Sequence, residues 1–266
     1  MNMHGLPISL PATMFLMLSA ICPHINAQAT TTSGSEPKIH LLSANVTLTS
    51  DYRYRGLTQT LQRPALQGGF DYSYRGGIYV GTWGSNVSST LYPKSNMELD
   101  LYGGYKFTDG GVGFDVGGLY VFYPSSNTVL ANLHTGHSST SAPITNFELY
   151  VSTSWNWLSM KYSHSVTDFY GVPKTRNSGY LDFTATKTYN RGWGLAAHLG
   201  RQWIKNFGEA SYNDWRLGIF KDTKGFVLGL DFLDTDAKDI AYQYTDDIRS
   251  MNIGKAGVVV YLKRVF

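Results

Sequence analysis

The stretch MELDLYGGYKF, residues 97–107, alternates apolar and polar side chains with a period of two. Met97 and Leu99 fall on one face of an extended chain, and Glu98 and Asp100 fall on the other. Successive side chains of a β-strand point to opposite faces, so the pattern predicts a strand with one apolar face and one charged face.

The same alternation recurs along most of the chain and predicts twelve strands. The predicted strands cover residues 44–55, 65–75, 78–86, 97–107, 112–122, 145–155, 158–167, 179–188, 192–201, 212–221, 225–233 and 256–266. Most of them are close to the 9–11 residues that a tilted strand needs to cross a bilayer.

The segments between these strands alternate between long and short. The long ones cover residues 56–64, 87–96, 123–144, 168–178, 202–211 and 234–255. Outer-membrane barrels show this rhythm, because their periplasmic turns are tight and their external loops are long. We therefore predict an all-β fold: a closed antiparallel transmembrane β-barrel of about twelve strands over residues 30–266.

The composition fits an all-β protein whose sheet has one face in contact with water and one apolar face. Charged residues make up only 15% of the chain, against about 25% in ordinary soluble domains. The net charge of +3 gives no reason to expect a nucleic-acid partner. Residues 30–266 contain no cysteine, which excludes disulfides, thiolate metal sites and cysteine nucleophiles there.

The first 29 residues have the features of a secretory signal peptide. An apolar run over residues 8–22 is followed by Ala27-Gln28-Ala29, a small-x-small cleavage pattern. We predict a signal peptide over residues 1–29 and export through the periplasm to the bacterial outer membrane. The alternative is a short core helix or a membrane anchor.

The C-terminal stretch AGVVVYLKRVF, residues 256–266, alternates in the same way and ends on Phe266. A terminal Phe on an apolar-alternating last strand is typical of barrels delivered to the outer-membrane assembly machinery, which is therefore an expected partner. Arg264 departs from that pattern and is expected to reach the membrane interface. Outer-membrane lipid and lipopolysaccharide are the other expected partners.

The first predicted strand ends in SDYRYR, residues 50–55. Its alternation predicts that Tyr52 and Tyr54 face lipid as part of an aromatic girdle, while Arg53 and Arg55 face a watery interior. The alternative is an amphipathic hairpin on a soluble sandwich.

The polar faces of the predicted strands should point to the inside of the barrel, which predicts a charged lumen. The residues that we expect to line it are Arg53, Arg55, Asp100, Lys106, Asp115, Glu148, Lys161 and Asp182. Both signs of charge occur, so no ion preference follows. The alternative is a salt-bridge network that only satisfies the interior. Loops 123–144 and 234–255 are the candidates for a constriction.

Other motifs give weaker signals, and we expect no cofactor, no catalytic set and no metal site. Asp234, Asp236 and Asp239 are weak candidates for binding Ca²⁺, but their segment lacks the glycine and the distal glutamate of an EF-hand loop. The alternative is an acidic, solvated loop. Ser163-His164-Ser165 has no third group that would complete a hydrolase site.

The stretches SDYRYRGLTQT, PALQGGFDYSY, IYVGTWGSNV, ELDLYGGYKF and YNDWRLGIFKDTKGFVLGLDFLDTDAKD, with the apolar last strand, resemble the bacterial TorF-type putative porin family. The resemblance covers essentially the whole of residues 30–266, and the block that includes GTWGSNV is its most specific part. It implies an outer-membrane β-barrel that acts as a porin.

We therefore expect a porin-like channel for passive diffusion of small hydrophilic solutes or ions, and not an enzyme. Sieving by lumen width, together with the bias from inward charges, would set its permeability. The alternatives are a barrel enzyme that hydrolyses lipids and a structural or adhesive barrel that acts through its loops.

Overall fold

The computed structural model describes residues 39–131, 138–245 and 250–266. The predicted signal peptide lies outside these residues. The strands of the described ranges are β1 (His40–Thr49), β2 (Arg53–Tyr54), β3 (Leu57–Thr58), β4 (Ala65–Tyr74), β5 (Ile78–Asn86), β6 (Met97–Asp109), β7 (Val112–Ala131), β8 (Ser138–Trp155), β9 (Leu158–Ser165), β10 (Gly179–Thr188), β11 (Trp193–Trp203), β12 (Tyr212–Thr223), β13 (Phe226–Thr235), β14 (Gln243–Thr245), β15 (Ser250–Asn252) and β16 (Gly257–Val265).

Within residues 39–131, 138–245 and 250–266, helical structure is limited to single turns. A four-residue helix, α1, covers Asp239–Tyr242, and 3₁₀ turns cover Phe169–Gly171, Asn190–Gly192 and Gly208–Ala210. In the ranges that the structure describes, no helix is long and apolar enough to cross a membrane.

Twelve of the strands form one closed barrel in which all neighbours are antiparallel. The barrel closes where β1 pairs with β4 on one side and with β16 on the other, so that Thr49 lies opposite both Ala65 and Tyr261. Closure leaves no strand edge with unpaired backbone groups, which a bilayer would penalise. The predicted twelve-stranded antiparallel barrel is confirmed.

The two faces of the wall differ as the alternation predicts. Leu66, Phe70 and Leu217 on the outer face are 62%, 69% and 64% exposed, whereas Glu98 and Asp100 on the inner face are 0% and 1% exposed. Apolar exposure on this scale suits a surface whose solvent is lipid.

The barrel has two unlike ends. At the short-turn end, adjacent strands are joined by turns such as residues 110–111 and 156–157, and β1 begins and β16 ends there. At the long-loop end lie the longer connections, including residues 50–64, which contain the small β2–β3 pair, and residues 236–256, which contain α1 and the β14–β15 pair.

One predicted loop, residues 123–144, is largely strand. Pairing between β7 and β8 is irregular from Phe122 to Asn127 and then resumes with Asn127 opposite Pro143. Ser125 takes a positive φ of 64° within this irregularity. The prediction of a long loop is wrong here because the hairpin continues beyond the bulge, where each strand still supplies hydrogen-bond partners for the other.

Candidate functional site: the barrel interior and its mouth

Residues 50–64, here called the mouth segment, leave the wall after Thr49 and enter the barrel. The Asp51 carboxylate organises the turn: it accepts hydrogen bonds from the hydroxyls of Thr58, at 2.6 Å, and Thr60, at 3.0 Å. It also pairs with Arg53 Nε at 2.6 Å. Because these contacts fold the segment back on itself, strand β1 ends six residues before the predicted boundary at residue 55.

The prediction that Tyr52 and Tyr54 face lipid is therefore wrong. Both rings are buried, with exposed fractions of 3% and 0%. Tyr52 packs edge-on against Trp83 of β5 and donates a hydrogen bond to Glu98 of β6 at 3.3 Å. Apolar and polar residues do alternate through Tyr54, as the sequence analysis noted. The turn at Asp51 nevertheless directs this part of the chain into the lumen.

The tip of the mouth segment crosses to the far wall. Arg55 and Gly56 at the tip have positive φ values of 43° and 82°. A Cβ at Gly56 would lie 2.9 Å from Cβ of Asp214 on β12, so a larger residue would not fit without movement. Glycine is needed here for both the backbone conformation and the close approach.

Arg55 ties this tip to the wall through three strands. Its Nη2 donates to Glu148 of β8 at 2.8 Å, and its Nη1 donates to Gln202 of β11 at 2.8 Å. Its guanidinium also lies over the ring of Tyr180 of β10, at 4.1 Å from the centroid. Burial lowers the pKa of Arg55, but the Glu148 carboxylate raises it, and the net pKa lies above its ordinary value. The side chain therefore remains charged in the mouth.

Apolar side chains from several long-loop connections pack with the mouth segment into one buried cluster. Its members include Tyr54, Leu57, Leu61, Leu91, Tyr92, Tyr123, Phe169, Tyr170, Ile204, Ala210, Tyr242 and Ile253. These packed side chains thus narrow the long-loop end. Loop 234–255, one of the two predicted constrictions, contributes Tyr242 and Ile253 to this cluster, and the mouth segment contributes Tyr54, Leu57 and Leu61.

The eight predicted lumen residues lie in two places. Arg53 and Arg55 belong to the mouth segment, not to strand β1, while the other six lie on strands β6 to β10. Arg53 Nη1 donates to the backbone oxygens of Gly56 and Lys255, so its charge is held within the mouth. Glu148 joins this group through Arg55.

Towards the short-turn end, cations and tyrosines line the inner wall. Lys106 Nζ lies 4.4 Å from the ring centroid of Tyr79, and Lys161 Nζ lies 3.8 Å from that of Tyr150. The Tyr79 hydroxyl donates to Asp115 at 2.7 Å and contacts the Tyr150 hydroxyl. These contacts join residues of β5 to β9 on the inner face and bring Lys106 and Asp115 into one network.

A second network on β10 to β12 contains a histidine that the sequence analysis did not single out. His198 Nε2 contacts Asp214 at 2.8 Å, and its Nδ1 lies 3.3 Å from Asp182. Tyr180 also donates to Asp214, at 2.9 Å. The signal for His198 was present, because it shares an alternation face with Gly200 and Gln202, but only Asp, Glu, Lys and Arg were projected inward.

Tyrosine rings lie over inward-facing glycines of neighbouring strands. A Cβ at Gly81 would lie 2.5 Å from the ring of Tyr102, and a Cβ at Gly117 would lie 2.6 Å from the hydroxyl of Tyr150. The glycines leave room for the rings to lie along the wall.

The weak metal candidates on β13 and in the following loop serve other contacts. Asp236 accepts hydrogen bonds from Asn213, Asp239 accepts one from Asn252 at 2.8 Å, and Asp234 accepts one from the Thr235 N–H at 2.8 Å. Among the described residues, no three His, Cys, Asp or Glu side chains form a group that could hold a metal ion.

A closed, twelve-stranded barrel with an apolar outside and a charged inside is similar in fold to solved outer-membrane porins. The chain is similar to the solved KdgM porin, with a TM-score of 0.51 and 9% identity over 84% of this chain and 99% of that one. The NanC porin structure matches with a TM-score of 0.48 and 11% identity over 85% of this chain and 98% of that one.

The chain belongs to a family described as "Bacterial protein of unknown function (Gcw_chp)", whose model matches residues 30–266. No curated protein matches it. A KdgM porin solved in complex with disordered oligogalacturonate also resembles it, with a TM-score of 0.49 and 8% identity over 85% of this chain and 98% of that one.

Proposed function

We propose that this protein is an outer-membrane channel for passive diffusion of small hydrophilic solutes or ions, narrowed at its external mouth by residues 50–64. The observation that supports this most is the opposition between the two faces of one closed wall. Leucine and phenylalanine side chains are exposed outside, while carboxylates, cations and tyrosine hydroxyls line the inside.

The direction of the barrel follows from its two ends. Short turns and both chain ends of the barrel lie together, as in bacterial barrels, where the short turns are periplasmic and the long loops external. We place the long-loop end outside the cell and the short-turn end in the periplasm. The resemblance to the TorF-type putative porin family supports placing the barrel in the outer membrane.

The mouth of the channel selects solutes by size, and the charged residues below the mouth set its preference for anions or cations. In the mouth, Arg53 and Arg55 are paired with Asp51 and Glu148, so their charges largely compensate each other. Further towards the periplasm, Lys106 is exposed on the inner face. Pore-lining charges set ion preference when solutes pass close to them, so Lys106 and its neighbours are the residues that we expect to act on permeating ions.

Planar-bilayer recording of the purified protein tests the proposal. We expect discrete conductance steps in KCl and block of the current by hydrophilic polymers above a size limit. Absence of conductance together with cleavage of phospholipid in liposomes would favour a barrel enzyme instead. Absence of both, with binding of a surface partner, would favour a structural or adhesive barrel.

A further inference from the structure

Basic residues are unevenly distributed around the outer surface of the short-turn rim. From β10 round to β16 the rim carries five basic residues, Lys187, Arg191, Lys221, Lys224 and Arg264. From β6 to β9 the described outward positions at the same rim include no lysine or arginine, and they carry one exposed acid, Asp109. The other residues there are aromatic or apolar and include Phe107, Phe114, Trp155, Trp157 and Leu158. Membrane insertion alone would not require such a one-sided distribution.

Three of these cations flank a groove on the lipid-facing side of β10, β11 and β12. The groove measures about 390 Å³ and is lined by Tyr189, Asn190, Trp193, Gly194, Leu195 and Ile219. The strand register places Lys187 opposite Leu195 and Lys221 opposite Trp193. A strip of apolar and aromatic surface is therefore bordered by positive charge on both sides.

The cations are held close to the aromatic rings of the groove. Lys187 Nζ lies 5.6 Å from the ring centroid of Tyr189, and Lys221 Nζ lies 5.1 Å from that of Trp193. Lys221 also donates to the backbone oxygen of Arg191. These contacts position the two ammonium groups at the rim, where aromatic belts meet lipid headgroups.

No carboxylate neutralises this patch within the described part of the chain. Lys187, Arg191 and Lys221 form no ion pair there. The nearest acid in sequence, Asp222, lies opposite the buried Val227 on the inner face, and its carboxylate accepts the Gly225 N–H at 3.0 Å. The patch therefore presents three positive charges to the membrane.

We propose that this groove binds the headgroup of an anionic phospholipid, with the phosphate held by Lys187, Arg191 and Lys221 and an acyl chain lying along Leu195 and Ile219. The inference rests on the membrane placement proposed above. Basic clusters beside an apolar membrane surface recognise anionic headgroups through charge-assisted hydrogen bonds and long-range attraction. A zwitterionic lipid fills the same groove without the gain in net charge complementarity.

Native mass spectrometry of the purified protein, carried through nanodiscs of equal parts phosphatidylglycerol and phosphatidylcholine, tests this site. We expect the protein to retain phosphatidylglycerol in preference to phosphatidylcholine. The triple variant Lys187→Gln/Arg191→Gln/Lys221→Gln removes the charge but keeps polar side chains, and should lose most of that preference. Added inorganic phosphate should not abolish it, since the acyl chain contributes to binding.

A matched variant controls for loss of net charge. Arg63→Gln/Lys205→Gln/Lys238→Gln removes three exposed cations at the long-loop end, and should retain phosphatidylglycerol as the unmodified protein does. Equal retention of both lipids by the unmodified protein, or an unchanged preference in the rim variant, would overturn the site. A protein that keeps the lipid preference but carries no current would refute the channel and support the lipid site.

Discussion

The two ends of the barrel interior use similar side chains in opposite ways. At the mouth, Arg55 is 4% exposed and its charge is paired with Glu148. Near the short-turn end, Lys106 is exposed and lies over a tyrosine ring on the inner wall. A charge that is buried and paired fixes structure, whereas a charge that remains accessible can act on what passes.

This difference indicates separate roles for the mouth and for the interior below it. The mouth is packed with tyrosine, leucine and isoleucine side chains, so we expect it to restrict solutes sterically. Below it, glycines leave room for tyrosine rings to lie along the inner wall. If this comparison holds, changes in the mouth should alter how much current passes or how stable the barrel is. Changes below the mouth should alter which ion passes.

Removal of the mouth segment should have the largest effect. Replacing residues 51–62 by a two-residue Asn-Gly turn would take Tyr54 out of the cluster and remove Arg55 from Glu148, and we expect single-channel conductance to rise severalfold. Planar-bilayer recording measures this. Shortening the exposed tip of the 204–211 connection at Gly208-Glu209 gives a control that should change conductance far less. Equal conductance of the mouth deletion and the unmodified protein would mean that the mouth is not the constriction.

Loss of the Arg55 anchor should have the next largest effect. Arg55→Ala leaves Glu148 buried without its cation, and breaking a buried ion pair in this way costs about 3–5 kcal/mol. Urea unfolding in lipid vesicles measures the change in the free energy of unfolding.

The double variant Arg55→Ala/Glu148→Gln separates the pair from the contacts around it. It should recover part of the lost stability, because the uncompensated carboxylate is gone. If Arg55→Ala unfolds at the same urea concentration as the unmodified protein, the anchor carries no stability and the contrast between the two ends fails.

The sequence predicted the wall far better than the mouth. Strands β5 and β10 have the predicted bounds at residues 78–86 and 179–188, because a period of two is a local property that closure of the barrel preserves. The same period continued through Tyr52 and Tyr54, where the chain no longer forms wall. Only the long-range contacts of this segment, such as Arg55 with Glu148, distinguish the two cases.

The sequence predicted on which face of the wall the site residues lie, but not which residues of other strands they contact. Alternation placed Asp100, Lys106 and Asp115 inside, but it carries no information on which residues of other strands meet them. The Tyr79 hydroxyl reaches Asp115 across β6 because the intervening Gly104 has no side chain. That contact depends on the register between three strands, which a single sequence does not specify.

Filling the space under the tyrosine rings should destabilise the wall by a smaller amount. Gly81→Ala would push against the Tyr102 ring, and overpacking of this kind costs about 1–3 kcal/mol. The unfolding midpoint in urea measures it. Gly208→Ala is the matched control, since its Cβ would meet nothing within 4 Å. A loss of stability no greater than that of the control would show that the rings do not need the glycines.

Charge reversal below the mouth should change selectivity while leaving conductance and stability nearly intact. Lys106→Glu reverses a cation that is exposed on the inner face, so we expect the permeability ratio to shift towards cations. The reversal potential in a KCl gradient measures this shift. Arg53→Glu is the comparison: its charge is held against Asp51 and two backbone oxygens, so its reversal should disrupt the mouth and change conductance more than selectivity. An unchanged reversal potential for Lys106→Glu would remove it from the permeation path, and the interior charges would then be a network that only satisfies the wall.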